Sequence, residues 1–476
     1  MYKRFLMIAV ATTMPIFAGL HNLSLSKALR MLDEKNLEIK ISQYDETMKK
    51  YDELSVEGMN YGKIDLTVQA LRSNDAGNVF GFKLQSREAT FRDFGFRDFL
   101  GGVGMAMQMS QGNFGTFGQL LSNPALQNRL LDTAPDDLNY PDARSHFLTK
   151  VTFQIPLYTG GKLTEYKKIT NQLYEMSKLD TRKLRNEKIF QVKKAFNDIT
   201  LVQNYISNLR KIRRNIVHLK KIIVEMKKEG YTKRTDVLEV KARLAKVDSM
   251  LNQARLNREL AYQFLSFLLN TEVSSIRPVN LLIKRPRVSK ADIERMSLDI
   301  QKAKMGLRVS EMAIKTEKAN FLPMAGAFAE YGSADNKLWN DFSKKDFYTV
   351  GVQVKWNLFN GGSDKAKLEK ARVRMMKVAQ QVELAKKGIA LKVKRLQTEI
   401  KSLEYDVKSQ KTQLKLAREV YRTYEEKYKI GLASITDVLI KQAIELEALL
   451  KYLKVASDRN DKIFELQSIL DMGGKV

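Results

Sequence analysis

The chain has 476 residues, of which 44% are hydrophobic and 29% charged, and its formal net charge is +28. That balance excludes a wholly disordered polar chain, and the positive excess raises nucleic acid and anionic lipid as partners. There is no cysteine, which excludes disulfides, thiolate metal sites and a lipid-modified N-terminal cysteine.

Lys3 and Arg4 precede an apolar run from Phe5 to Ala18. The run is too short for a permanent membrane helix and has the form of a secretory signal, so residues 1–18 are read as a signal peptide; the alternative is a mature N-terminal helix. No other run reaches the ~18–20 apolar residues of a spanning helix. Any crossing of a membrane would therefore be made by β-strands.

Residues 19–270 read as a first repeat. Ser24 offers a cap before an apolar-periodic stretch, which predicts one helix to about Gly58. Ile64, Leu66, Val68 and Ala70 then alternate with Asp65, Thr67 and Gln69, a strand with one apolar face. Residues 73–146, rich in Gly, Phe, Asn and Asp, form a long, partly structured insertion. A second strand comes next, with Phe147, Val151, Phe153, Ile155 and Leu157 on one face, and it ends at Gly160-Gly161.

From Lys162 to Glu229 there is neither glycine nor proline. Ala195, Ile199, Val202, Ile206, Leu209, Ile212, Ile216, Leu219, Ile223 and Met226 recur at spacings of three and four, close to a heptad seam. Beyond Gly230 the pattern resumes with Val237, Val240, Leu244, Val247, Leu251 and Ala254. An antiparallel helical hairpin with coiled-coil packing is predicted.

A linker, residues 271–288, carries Pro278 and Pro286 and opens the second repeat, 289–476. Ser289 caps a helix predicted to end near Asn320. Two strands come after it, one with Ala325, Ala327 and Ala329 on a face and one with Val350, Val352, Val354, Trp356 and Leu358, joined by a short loop. Ser363 to Ile430 is a helix roughly 100 Å long, far beyond the usual length in a globular core. A returning helix runs from Ser434 to Met472.

The two repeats superimpose without a gap: Tyr158-Thr159-Gly160-Gly161 falls on Phe359-Asn360-Gly361-Gly362, and Gly230 with Thr235-Asp236-Val237-Leu238 falls on Gly431 with Thr436-Asp437-Val438-Leu439. Two long hairpins therefore descend from one duplicated unit. The fold class is α+β, mainly α, with internally duplicated helical hairpins and four amphipathic strands.

No catalytic site, cofactor site or metal site is readable. His21, His146 and His218 have no ligand spacing among them. The Gly-Gly pairs join strands to helices but lack phosphate-loop context, so Gly160, Gly161, Gly361 and Gly362 are read as tight turns. The basic excess between Lys162 and Lys228 could lie along a polyanion, but the signal and the amphipathic strands speak against nucleic acid. Four strands of ~10–12 residues suit a tilted transmembrane barrel and cannot close one alone, so the chain must share a barrel with its own copies.

The Leu23-Ser24-Leu25-Ser26-Lys27-Ala28-Leu29 start with Asn36-Leu37-Glu38, the two strand endings at the Gly-Gly pairs, and Tyr428-Lys429-Ile430-Gly431 followed by Thr436-Asp437-Val438-Leu439 together resemble the TolC family of outer-membrane channel proteins. The resemblance covers essentially the whole mature chain. It implies a homotrimer in which twelve strands, four per chain, form one outer-membrane barrel continued by an α-helical tunnel through the periplasm of a Gram-negative bacterium. It implies an exit duct for a tripartite efflux pump or type I secretion, passive and gated, not an enzyme. The implied partners are outer-membrane lipid, a periplasmic adaptor and an inner-membrane transporter of RND or ABC type.

By the same resemblance Gly230 and Gly431 mark the turns that close the periplasmic end. Asp437 matches an aperture carboxylate, Asp236 a gate carboxylate and Tyr428 a gating tyrosine. The family's arginine and second aperture acid are replaced here by Ala433 and Ile440, which leaves Arg234 or Glu239 as substitutes in a gate ion pair. Helix N-capping is the alternative role for Asp236 and Asp437. A periplasmic coiled-coil adaptor or scaffold is the alternative function, although adaptors of that kind bear one hairpin between small β domains.

Overall fold

The computed structural model describes residues 19–280, 282–338 and 342–473; the expected signal peptide, 1–18, lies outside them. The elements run α1 (Leu25–Lys35), α2 (Leu37–Gly58), β1 (Lys63–Ser73), α3 (Ala76–Gln85), α4 (Phe96–Met109), α5 (Phe114–Leu121), α6 (Pro124–Leu131), α7 (Asp136–Asn139), β2 (Arg144–Tyr158), α8 (Lys162–Lys228), α9 (Arg234–Leu269), α10 (Lys290–Met296), α11 (Leu298–Lys318), β3 (Met324–Asp335), β4 (Asp346–Lys355), α12 (Ser363–Lys429) and α13 (Ile435–Ile469). They form two compact units, one of Asp52–Lys168 with Met312–Ala371, the other of the described part of Met1–Tyr51 with Ile169–Glu311 and Arg372–Val476. Among the described residues no helix is long and apolar enough to cross a membrane.

In the helical unit the seam read from spacing is the core. Ile206, Leu209, Ile212, Ile216 and Ile223 of α8 pack with Val237, Val240, Val247 and Leu251 of α9, and the same cluster takes in Ile435, Val438 and Leu446 of α13. Arg213 Nε donates to Asp248 Oδ1 at 2.6 Å and ties α8 to α9 outside the seam. In the second hairpin Val393, Leu396 and Ile400 of α12 meet Ile463 and Leu466 of α13. The packing between the repeats also has a polar part: buried Asn197 of α8 donates to Ser457 Oγ at 2.8 Å and accepts from buried Asn460 Nδ2 at 3.1 Å. Each of these amides satisfies its partner, so the network fixes the facing of α8 and α13 without leaving an unpaired group.

Two helices are interrupted where the sequence reads as continuous. The first breaks at Asn36, whose backbone turns extended (φ −64°, ψ 123°). Its buried side chain donates to Leu268 O at 2.8 Å and accepts from the Ile39 amide at 2.9 Å. A tertiary contact and a new helix cap thus replace the lost helical bond. The second breaks at Ser297 (φ −74°, ψ 116°), whose backbone carbonyl still receives the Gln301 amide at 3.1 Å.

Lys193 of α8 is 4% exposed. Its ammonium donates to Gln467 Oε1 at 3.1 Å and lies 5.8 Å from the Phe464 ring centre. Burial pushes it down from 10.5 to about 8. Between those values the unfolded chain still holds a proton that the native chain has released, so native stability rises with pH through that window and is penalised below it. Lys193→Met is therefore expected to stabilise the fold at neutral pH by on the order of 1–3 kcal/mol, seen as a higher thermal midpoint, with the gain fading as the pH approaches about 10. Melting followed by circular dichroism at both pH values checks this; a gain that does not fade would remove the charge from the explanation.

The other unit is built on one antiparallel sheet in the order β1-β2-β3-β4. Register places Leu66 beside Val151 and Tyr331 beside Tyr348, and it aligns Ile64, Phe153, Ala329 and Val350 in a single row. The four apolar alternations thus fall on one face, and they are exposed: Leu66, Val350 and Val352 each show 65% or more of their surface. The opposite face carries Thr67, Lys150, Thr152, Gln154, Glu330 and Gln353, with Lys150 and Glu330 paired at 3.0 Å. Phe328 on that face covers Gly351, where an added Cβ would come within 2.7 Å of the ring. The insertion between β1 and β2 is mostly helical, although it is glycine-rich, and β2 begins at Arg144, two residues before the expected end of the insertion.

Candidate functional site

The turns joining the long helices are built alike. Gly230 closes α8 at φ +81° and Gly431 closes α12 at φ +76°, a backbone region that glycine enters without strain. The Gly230 amide donates to Lys227 O at 3.1 Å and the Tyr231 amide to Met226 O at 2.8 Å; Gly431 donates to Tyr428 O at 3.0 Å and Leu432 to Lys427 O at 2.8 Å. This paired pattern satisfies the last helical carbonyls. Tyr231, Ile430 and Leu432 stand at least 70% exposed at the turns.

The returning helices begin with carboxylates in the third position. At α13, Ser434 Oγ accepts from the Asp437 amide at 3.1 Å, while Asp437 Oδ2 accepts from the Ser434 amide at 3.1 Å and its hydroxyl at 2.6 Å. The Ser434 hydroxyl bond, helped by the Ser434 amide, holds the Asp437 carboxyl below its ordinary range. At α9, Asp236 Oδ2 accepts from the Lys233 amide at 3.1 Å. Both acids therefore cap their helices, and neither is consumed by an ion pair among the described residues.

The two repeats meet at these turns. Tyr428 of α12 points its hydroxyl at Met226 Sδ of α8, 3.6 Å away. Burial, and then the charge of Asp236, push its phenol upward. Thr436 at the start of α13 donates to Glu239 Oε2 of α9 at 2.9 Å. Glu239 thus binds a hydroxyl across the repeats, while Arg234 is exposed on the first turn of α9. Tyr421, one heptad before Tyr428, is buried and receives the Gln442 amide at 3.4 Å. Burial pushes its phenol up to about 12. The sequence reading missed Tyr421, which its spacing of seven from Tyr428 could have pointed to; the threonine and methionine partners carry no sequence signal of their own.

The Gly-Gly pairs belong to the sheet unit. Gly160 and Gly161 take φ +63° and +82°, and Gly361 and Gly362 take +69° and +83°, each pair turning the chain from strand to helix. No group of His, Cys, Asp or Glu among the described residues is arranged to hold a metal ion.

Residues 292–471 match the family described as outer membrane efflux protein. No curated protein matches the chain by sequence. Among solved structures, the Campylobacter jejuni CmeC outer membrane channel is similar at 12% identity and a TM-score of 0.72 over 94% of this chain and 86% of that one. The outer membrane protein VceC of Vibrio cholerae aligns at 13% identity and a TM-score of 0.69 over 94% and 95%. The open-state Neisseria gonorrhoeae MtrE outer membrane channel aligns at 15% identity and a TM-score of 0.70 over 95% and 89%. The second repeat thus matches the outer membrane efflux protein family by sequence, and nearly the whole chain shares the fold of these channels.

Proposed function

We propose that three copies of this chain form an outer-membrane exit duct, a passive gated channel with a long periplasmic tunnel. The observation that carries the proposal is the sheet: one exposed apolar face, one polar face, and outer strands β1 and β4 each with an edge unpaired within the chain. In lipid the unpaired edges would each leave backbone groups without partners, and pairing β4 of one copy with β1 of the next removes them. The polar face then lines the lumen and the apolar face meets lipid. An adaptor has no use for such a sheet, and the two hairpins per chain fit a tunnel wall.

The helical turns are the proposed periplasmic aperture, with Asp437 and Asp236 as its acids and Tyr428, Gly230, Gly431, Arg234 and Glu239 around them. Exposed Tyr231, Ile430 and Leu432 offer an apolar surface to a periplasmic adaptor. The pump behind that adaptor would be an inner-membrane transporter of RND or ABC type. Expression in a Gram-negative host is expected to give trimers in the outer-membrane fraction that resist detergent until heated. A soluble periplasmic monomer would overturn the proposal.

A further inference from the structure

The polar face of the sheet changes character at the end away from the Gly-Gly turns. Lys150, Thr152 and Gln154 give way to His146 and Leu148 on β2, with Leu71, Ala334 and Phe347 on the neighbouring strands of the same face. There α3 of the insertion lies against β3, and Phe82 stacks on His146 with ring centres 4.1 Å apart and planes 7° apart. His146 is 2% exposed and Ala334 is fully buried. Arg87 fastens the same segment to the start of β4, donating to Asp346 O at 2.6 Å, and Glu88 bridges Arg144 and Lys345. The α3 segment of the insertion therefore lies on the face that carries the polar residues, and the opposite, apolar face stays exposed.

Beyond Asp98 the insertion has a composition found nowhere else in this chain. From Phe99 to Asn128 there is no charged residue, in a protein that is 29% charged. Leu100, Met105, Met109 and Phe114 are all more than half exposed on α4 and α5. An uncharged helical segment with large apolar groups in water marks a contact surface. The segment is tethered through α3, which lies on the polar face, and that tether decides the partner. Lipid lies on the other side of the sheet, whereas in a closed barrel the polar faces of neighbouring copies look at one another across the lumen.

We propose that α4 and α5 are an interaction surface for the same segment of the neighbouring copies, so that three insertions meet on the axis and constrict the outer mouth of the barrel. This rests on the trimeric reading above. Each contact is head-to-tail between copies and closes because the barrel imposes the rotation.

The absence of native cysteine makes the test direct. In purified full-length Met105→Cys and, separately, Met109→Cys, mild oxidation is expected to give one covalent pair per trimer with the third chain free, while Val350→Cys on the opposite face gives none. Assembled trimers that fail to crosslink at both positions would overturn this inference alone, as would quenching of a bimane label at Met105→Cys by brominated lipid. Monomers throughout, by light scattering, would overturn both this inference and the trimeric reading. In planar bilayers, crosslinked Met105→Cys channels are expected to conduct less than the same channels after reduction; unchanged conductance would show that the segments do not constrict the mouth.

Discussion

Arginine at Val352 is expected to strip the protein from the outer membrane, whereas arginine at the adjacent Gln353 is expected to leave assembly intact. Val352 is 65% exposed and lies in register with Ala327 and Ile155 on the apolar face, while Gln353 pairs with Gly326 on the other. A guanidinium facing lipid costs about 2–4 kcal/mol near mid-depth, and a symmetric barrel meets the cost in every copy. On the lumen face the same group stays hydrated. Heat-modifiable trimers in outer-membrane fractions report the difference, and the Val151→Arg and Gln154→Arg pair repeats the comparison on β2. Equal tolerance on both faces would mean that the apolar rows do not face lipid.

The second large effect belongs to Asp437. Repeated about the trimer axis at the narrow end, its carboxylates would form a ring that attracts cations into an otherwise basic protein. Asp437→Ala should reduce cation preference and weaken block by multivalent cations in planar bilayers, and Asp437→Lys should reverse the preference. The variant should still assemble, because the bonds it loses are those to Ser434, and a lost cap costs ~0.5–2 kcal/mol per chain. Asp236→Ala is the comparison: it removes a charge beside Tyr428 and should loosen closure more than it changes selectivity. Normal assembly with unchanged selectivity in Asp437→Ala would leave the residue with its capping role alone.

How much could be read from the sequence depends on the range of the interactions. Period-two alternation placed Ile64, Phe153, Ala329 and Val350 on apolar faces before any pairing was known, because a strand fixes its faces locally. The three-four spacing of α8 and α9 identified their core for the same reason. Asn36 and Ser297 were opaque: nothing nearby forbids helix there, and the Asn36 break is held by Leu268 O, 232 residues away. The β2 to β3 pairing was equally hidden, since it joins strands from different repeats. The insertion was read only as partly structured, and its helices were not legible from composition, as α4 is helical despite three glycines. At the turns the glycines and capping acids were legible, and the Thr436 to Glu239 and Tyr428 to Met226 contacts, which depend on how the hairpins pack, were not.

The helices α8 and α12 are each 67 residues long. They act as two rulers cut to one length, since each begins just after a Gly-Gly pair and ends at a single glycine. Removing one heptad from α8 alone would withdraw its turn by ~10.5 Å while the other stayed in place. Tyr428 would then face a different turn of α8 and Thr436 would lose Glu239. Shortening both helices by the same heptad would bring the two turns back into step, so the shared count couples the length of one repeat to that of the other.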